Sequence, residues 1–423
     1  MIRLAVKTVS VCICTWMAIS GLGSGGVHAD VIPDRRREQF QTEPAHLIAP
    51  FPYSLPGIGS GLFLLGLFSN IYESPIDLIA VLVTGDAEGA VVFIDEIPLY
   101  STHLLFQFLY QDITKAAVNS YEKRGMDTDK NDFNIVEFSS ARATSVQLFL
   151  NFFDRRLEFF AGNQKQSQTI EAIRNSKGKI LFELDEPLEG ESEGNWLGLR
   201  LDLTDDREDP RVGLRLWAEK FENERNDKDD PDYFTIDHST LVYIPVGEIS
   251  TWVFNYYRSD AIVRQKGNTG RQALIDDLGA NCDASDTECL DAESDFVNNT
   301  ITVRKYGSAT SLGGQERLRA YPGGRFQGAH MAFYGTEFRW NLTEEFTPFD
   351  YFIWKDVRTG VQLAFFYETG TVAEKSSQLW DESRESYGTA IRLVTGSGTV
   401  YKAEFATGDE GNQLIVFFFY PWE

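Results

Sequence analysis

The sequence has few cysteines and, beyond its N-terminus, no long apolar run. Four Cys occur in 423 residues, and two of them, Cys12 and Cys14, lie in the N-terminal apolar segment. After that segment, no stretch approaches the roughly 18 unbroken apolar residues of a membrane-spanning helix. Any membrane span further along the chain must therefore be a β-strand.

Histidine and basic residues are also scarce. The five His are not paired at the spacing of a zinc site, and no nucleotide-binding loop occurs. The excess of 63 Asp and Glu over 39 Lys and Arg gives a formal net charge of -24, which argues against binding to nucleic acid. The acidic runs 205–209 and 226–232 lack the spaced ligands and the glycine of a calcium loop. No metal or other cofactor is expected.

One short stretch, Asp237-His238-Ser239, has the residue types of a hydrolase site. Neighbouring residues of a strand point to opposite faces, so His238 and Ser239 cannot act on the same substrate atom. The sequence therefore predicts no enzymatic activity.

The N-terminus has the features of a secretory signal peptide. Arg3 and Lys7 precede a mostly apolar run over 9–19, and small residues lead to a cleavage position after Ala29. A transmembrane helix is the alternative, but the apolar run is short. Residues 1–29 are therefore predicted to be a signal peptide and 30–48 a polar periplasmic lead-in, with a short plug or a partner-binding segment as alternatives for the lead-in.

Export leaves one close pair of cysteines in the mature chain, Cys282 and Cys289. They lie in a polar segment without a nearby His or further Cys. A disulfide is the favoured prediction for an exported chain, and metal binding is the less favoured alternative.

From residue 49 onward, large apolar side chains alternate with polar ones. Aromatic residues make up 13% of the chain, while the mean hydropathy is -0.25. Segments of about ten alternating residues have the length of tilted membrane strands. Sixteen segments fit this description: 49–57, 60–71, 75–84, 88–98, 101–112, 142–152, 155–163, 195–204, 211–221, 235–245, 248–258, 330–342, 360–368, 387–396, 399–407 and 413–422.

The predicted connections differ in length in the manner of an outer-membrane barrel. Connections after even-numbered strands are short, apart from 343–359, and the long ones follow odd-numbered strands. The last segment, 413–422, ends in aromatic residues, as a terminal strand read by outer-membrane assembly machinery does. The alternative is a soluble sandwich or propeller, which also alternates. The signal peptide and the loop asymmetry favour an all-β transmembrane antiparallel barrel of about sixteen strands over 49–423.

Residues 195–423 carry an ordered set of motifs. Gly313-Gly314 precedes Arg319-Ala320-Tyr321 in the longest predicted loop, Glu337-Phe338-Arg339 lies on the next strand, and Tyr367-Glu368-Thr369-Gly370 lies on the strand after it. An acidic turn, 202–213, comes before them. In this order the motifs resemble those of the BamA/TamA-type barrels of the bacterial surface antigen superfamily. The chain departs from that pattern where Ala320 and Glu368 replace Gly and Asp.

The resemblance implies that the sixth external loop folds into the lumen, with Arg319, Tyr321, Glu337, Arg339, Glu368 and Gly370 as the residues that hold it. By alternation, Glu368 and Glu337 face inward. Because a charge in a confined lumen is costly unless paired, Arg319 is predicted to pair with Glu368 first and with Glu337 as the alternative. A solvent-exposed Arg319 on an external loop remains the competing interpretation.

The resemblance also bears on function and location. Relatives that insert or translocate proteins carry polypeptide-transport-associated (POTRA) domains before the barrel, and 30–48 is too short for one, so the chain is identified as a barrel-only member of the Gram-negative outer membrane. The first hypothesis is assistance in inserting or translocating an unfolded membrane protein or a lipid at a weak seam between the first and last strands. The alternatives are a passive channel with a plugging loop, and a structural or interaction barrel that self-associates. Outer-membrane lipid is an expected partner of each.

Overall fold

The computed structural model covers most of the predicted barrel. The signal peptide, 1–29, and residues 30–38 of the predicted lead-in lie outside the described residues. The described ranges are 39–40, 42–182, 187–225, 229–279, 282–343, 348–351, 354–395 and 400–422.

Antiparallel strands form one sheet in this part of the chain. In chain order they are β1 (Ala45–Leu55), β2 (Gly59–Ser69), β3 (Asp77–Gly85), β4 (Glu88–Pro98), β5 (Leu104–Ser120), β6 (Asn134–Phe152), β7 (Leu157–Asn175), β8 (Ile180–Phe182), β9 (Leu188–Asp202), β10 (Gly213–Asn223), β11 (Asp232–Val246), β12 (Ser250–Gln265), β13 (His330–Asn341), β14 (Pro348–Tyr351), β15 (Trp354–Ala373), β16 (Arg384–Thr395), β17 (Val400–Gly408) and β18 (Gly411–Phe418).

Sixteen of these strands form the wall of a closed barrel. β7 pairs directly with β9, and β13 pairs directly with β15, so the short strands β8 and β14 are additions to the wall. β18 pairs with β1 and closes the ring. The prediction of a sixteen-stranded antiparallel barrel is confirmed, and each predicted segment overlaps one wall strand.

Side chains alternate between the two faces of the wall as predicted. On β13, Glu337 and Arg339 are at most 1% exposed, whereas Trp340 is 40% exposed. On β9, Leu197 and Leu199 are 63% and 42% exposed. Polar side chains therefore point inward and large apolar ones outward, which is the reverse of a water-soluble fold and suits a surface in contact with lipid.

The two ends of the barrel differ. At one end, here called the short-turn end, most connections are brief, such as 99–103 and 247–249. At the other, the long-loop end, β5, β6 and β7 extend the wall to 17, 19 and 19 residues. Many residues that the alternation predicts to be loops at this end belong to strands, because the backbone pairing continues beyond the apolar pattern.

The longest connection, between β12 and β13, contains two helices that the sequence interpretation did not predict: α1 (Arg271–Leu278) and α2 (Thr287–Tyr306). The Asp286 side chain caps α2 by accepting a hydrogen bond from the Cys289 backbone N–H. Neither helix, among those the structure describes, is both long and apolar enough to cross a membrane.

At the short-turn end, three further boundaries also differ from the prediction. β1 begins at Ala45 rather than at 49, within the predicted lead-in. The connection 343–359 is not only a loop, since β14 pairs there with the first residues of β15. The last strand ends at Phe418 rather than at 422, because Phe419 has a φ of 71°, which breaks the extended backbone.

Candidate functional site

The connection that reaches β13 ends in an irregular segment, residues 307–329, here called the Arg319 loop. Leu312 and Phe326 form a two-residue antiparallel bridge across its base. Gly313 has a φ of 104°, and a Cβ placed on it would lie 2.1 Å from the Pro322 carbonyl oxygen. Only glycine fits that conformation and that approach. The Gly-Gly motif therefore closes the loop into a compact tip.

Arg319 projects from this tip onto inward-facing carboxylates of three wall strands. Its Nε donates to Glu368 Oε1 at 2.9 Å, and its backbone N–H donates to Glu368 Oε2, also at 2.9 Å. Its Nη1 donates to Glu404 Oε1 at 2.7 Å and to Glu337 Oε2 at 3.3 Å. Arg319 thus meets both carboxylates considered in the sequence analysis, and also Glu404, which was not considered.

The guanidinium of Arg319 also stacks on aromatic rings. Its Cζ lies 3.4 Å from the centre of the Phe366 ring and 5.4 Å from that of Trp422. A guanidinium held over a ring gains cation–π attraction that grows as water is removed. The same side chain is therefore oriented by hydrogen bonds in its plane and by ring contact on its face.

Three further cations surround the carboxylates. Arg392 donates to both oxygens of Glu337 at 2.7 Å and to Glu404 Oε1 at 2.9 Å. Arg339 Nε donates to Glu337 at 2.9 Å, and Lys402 Nζ lies 3.2 Å from Glu404 Oε2. Each of these two carboxylates is thus shared among several cations, so removing one residue disturbs more than one pair.

We call Arg319, its three carboxylate partners and the three further cations the Arg319 cluster. Each is at most 1% exposed, and with four cations and three carboxylates the cluster carries a formal charge of +1. Buried charges of this kind are tolerated only when they are paired and hydrogen-bonded. Its members are Arg319, Glu337, Arg339, Glu368, Arg392, Lys402 and Glu404.

Tyr321 lies beside the cluster and fastens the loop tip to the long-loop end of the wall. Its hydroxyl donates to the Glu385 carbonyl at 3.1 Å and accepts from the Asp409 backbone N–H at 3.3 Å. Burial raises the pKa of the Tyr321 phenol to about 12, so the hydroxyl remains a hydrogen-bond donor at physiological pH.

Two glycines of the wall, Gly408 and Gly370, allow the loop tip to approach it. Ala320, which departs from the family pattern, does not have a positive φ, and a Cβ placed on Gly408 would come within 2.9 Å of the Ala320 methyl group. A Cβ placed on Gly370 would lie 2.7 Å from Leu312. Gly370 therefore acts by leaving room for the loop, and the alanine at 320 does not strain the backbone.

The tail after β18 supplies contacts that the sequence analysis did not anticipate. The alternation predicts that this segment is the end of the last strand, but Tyr420 and Trp422 are buried among the cluster. Trp422 Nε1 donates to Glu368 Oε1 at 3.1 Å, and the Tyr420 ring lies 4.1 Å from the Arg339 Cζ. Because the backbone turns at Phe419, the terminal aromatics pack inward.

The residues missed by the sequence analysis left a signal in the alternation. Arg392 lies between the exposed Ile391 and Leu393 on β16, and Glu404 adjoins the exposed Phe405 on β17. A charged residue at an inward position flanked by apolar outward ones marks a lumen-facing charge. The motifs over 313–370 do not extend to β16 and β17, so they do not mark these two residues.

Outside the cluster, Cys282 and Cys289 are joined by a disulfide, with their Cα atoms 5.6 Å apart. The bridge fixes the start of α2, where Cys289 packs with Ile173 and Ala292. It therefore ties the helical part of the connection to β7.

Replacing both cysteines by serine is expected to loosen α2 without affecting the barrel wall. A bridge closing so short a loop contributes about 2 kcal/mol through the unfolded ensemble. Amide hydrogen exchange should therefore accelerate in residues 287–306 and stay unchanged in β13 and β15. Faster exchange in those strands would contradict this local role.

The seam between β1 and β18 is weakly paired. Within the described residues, the two strands share one Cα pair, Ser54 with Val416, whereas β17 and β18 share eight. Two side-chain bonds add to it: Ser54 Oγ donates to the Leu414 carbonyl at 3.2 Å, and the Tyr401 hydroxyl donates to the Pro52 carbonyl at 2.9 Å. At the short-turn end, β1 also shares two Cα pairs with β15, His46 with Lys355 and Leu47 with Trp354. Closure of the wall at β1 therefore rests on three described backbone pairs and on side chains.

In the described part of the chain, no three His, Cys, Asp or Glu side chains are grouped so that they could hold a metal ion. The charges of the Arg319 cluster largely neutralise one another, and their ion pairs attach the Arg319 loop to the wall.

The solved structures that are similar to this chain include those of two bacterial proteins. One is BamA from Haemophilus ducreyi lacking POTRA domains 1–3, at 11% identity and a TM-score of 0.47, with 89% of this chain and 69% of that chain covered. The other is CdiB from Escherichia coli, at 12% identity and a TM-score of 0.48, with 89% and 67% covered. No protein-family model and no curated protein matches the chain.

Proposed function

We propose that this protein is an outer-membrane barrel of the BamA/TamA-type superfamily in a Gram-negative bacterium, and that it assists the insertion or translocation of a protein or lipid at its β1–β18 seam. The observation that carries the proposal is the single residue pair between β1 and β18. Even with the two pairs that β1 makes to β15 at the short-turn end, three Cα pairs close the wall at β1. Other neighbouring wall strands share long ladders of backbone hydrogen bonds, so opening at β1 costs least.

The order of the sequence motifs supports the family assignment. Arg319 and Glu368 are motif residues that pair in the Arg319 cluster, and the motif residue Gly313 gives the loop its compact tip. The outward apolar surface supports a position in a membrane.

A covalent closure of the seam tests this function. Because Ser54 and Val416 are opposed Cα partners, cysteines at both positions are expected to form a disulfide. In cells depleted of the native protein, the oxidised Ser54→Cys/Val416→Cys variant should fail to restore the outer-membrane components lost on depletion. Each single variant, which cannot close the seam, should restore them. Full restoration by the oxidised double variant would refute a role for seam opening.

A second candidate function is a passive channel closed by the Arg319 loop. It is favoured by the complete burial of Leu312, Arg319 and Tyr321 against inward-facing wall residues. A loop held in this way would block conduction through the barrel.

Planar-bilayer recordings distinguish this candidate. The intact protein is expected to show no stable open conductance, and a variant lacking residues 312–328 is expected to conduct, because removing the loop leaves a water-accessible interior. Folding of the deletion variant is checked by heat-dependent gel mobility. A stable open pore in the intact protein would rule out a plugging loop.

A further inference from the structure

The edge of β1 that faces the seam has no backbone hydrogen-bond donor at two of its positions. In the antiparallel pairing of β1 with β2, alternate residues turn their backbone groups away from β2, and the Pro52 carbonyl accepts from Tyr401 on the seam side. Pro50 lies two residues earlier, so it faces the same way. Neither proline has an N–H. Two consecutive seam-facing positions of β1 can therefore accept hydrogen bonds but cannot donate them.

Aromatic side chains close the gap that these missing bonds leave. The Phe51 ring lies 4.7 Å from that of Tyr401 and 5.5 Å from that of Phe418, and Phe63 lies 5.6 Å from Phe417. Contacts between rings depend little on register and can be exchanged for other apolar contacts. The seam is thus held by the kind of interaction that a hydrocarbon can replace.

The wall beside the seam is apolar on both faces. The outward residues Ile48, Leu62 and Leu64 are 36%, 51% and 46% exposed, as expected for a surface in lipid. The inward residues of β1 and β2 are also apolar, without the inward charges found on β13, β15 and β17. They form one cluster that contains Leu47, Ala49, Tyr53, Phe63, Leu65 and Leu67.

This inward apolar surface contrasts with the charged inward surface on the other side of the seam. The inward positions of β13, β15 and β17 carry Glu337, Glu368 and Glu404, whereas β1 and β2 contain no Asp, Glu, Lys or Arg. When the rings of Phe417 and Phe418 move aside, an apolar path leads from the outward surface across the seam to the inward one. A polar or charged substrate would gain nothing from such a path, but an acyl chain would.

We propose that the β1–β18 seam admits the acyl chain of a lipid, and that it does not capture a β-strand by pairing with β1. The inference rests on the proposed function and names the substrate class for the same seam. A client strand added to β1 would lose the donors of Pro50 and Pro52, whereas an acyl chain needs no donor.

Photo-labelling of the full-length protein in liposomes tests the inference. The probe is a phosphatidylcholine with a diazirine at the end of one acyl chain, and adducts are mapped by mass spectrometry. Adducts are expected on inward Leu65 as well as on outward Leu64 of the same strand. In the oxidised Ser54→Cys/Val416→Cys variant, labelling at Leu65 should be lost, while labelling at Leu64 should persist and show that the barrel is folded. Absence of Leu65 adducts in the unlocked protein, or labelling unaffected by the lock, would overturn the proposal.

A strand probe provides the second measurement. A photoreactive peptide with the sequence of residues 411–418 is expected to leave β1 of the native protein unlabelled and to label the Pro50→Val/Pro52→Val variant, in which the edge donors are restored. Pro56→Val, in the turn after β1, is the control and should behave like the native protein. Equal labelling of native and Pro50→Val/Pro52→Val proteins would overturn the proposal.

The two proposals fail in distinguishable ways. If the locked seam abolishes restoration in cells but Leu65 is never labelled, the seam functions with another substrate and the acyl-chain inference is wrong. If the locked variant restores depleted cells but loses Leu65 labelling, lipid access is real and the proposed insertion function is wrong.

Discussion

Arg319→Glu is expected to destabilise the folded barrel by about 3–5 kcal/mol, the range for leaving buried charges uncompensated. The new carboxylate would face Glu337, Glu368 and Glu404 in place of the guanidinium that joins them. The cluster would then hold four carboxylates and three cations, and the stacking on Phe366 would be lost. Denaturant unfolding of the protein refolded in detergent measures the effect.

Adding Glu368→Arg to that variant should recover part of the loss, because it recreates an opposite-charge pair between loop and wall. Recovery is expected to be incomplete, since Glu337 and Glu404 still face the carboxylate at 319. The matched control is Arg317→Glu, two residues away on the same loop and placed over the Tyr257 ring rather than in the cluster. No recovery in the double variant would show that the Arg319–Glu368 pair does not hold the loop.

Trp422→Ala is expected to cost about 3–5 kcal/mol, as truncation of a buried aromatic side chain usually does. Trp422 is 3% exposed, donates to Glu368 and packs on Phe333. Its loss would leave a cavity beside the cluster and remove one hydrogen bond from a buried carboxylate.

Phe419→Ala is the control for Trp422→Ala within the same tail, because Phe419 is 55% exposed on the outward surface. Its effect should be about 1 kcal/mol or less, as is typical of surface substitutions. Refolding both variants in detergent separates stability from recognition of the terminal aromatics by assembly machinery. Equal destabilisation by the two substitutions would contradict an inward-packed tail.

The β-strands and their faces were predictable because alternation is a local property with a period of two residues. That is why Glu337 and Glu368 could be assigned to the inward face from sequence, and both are fully buried. The same rule applied to β16 and β17 would have found Arg392 and Glu404. Alternation alone marks these two residues as inward-facing, because no motif contains them.

Other features depended on contacts between distant residues. The apolar alternation covers only part of β5, β6 and β7, so the height of the wall could not be predicted from it. Helix α2 had a recognisable start at Asp286 and basic residues in its last turn, but its polar, weakly amphipathic sequence lies in what was read as a loop. Pro421 is a local sign that the last strand does not continue, but nothing in the sequence indicates that the chain turns inward at Phe419.

The sequence by itself determined the sixteen-stranded barrel, the side of the wall on which each charge lies, and the unequal ends of the molecule, because each follows from local alternation and connection length. The tertiary structure decided which charges meet. Arg319 and Glu404 lie 85 residues apart in sequence, yet they are 2.7 Å apart in space. Closure of the ring, with the loop and the tail turned toward the wall, brings these two residues together with Trp422. Closure also places Pro50 and Pro52 of β1, which have no N–H, at the seam.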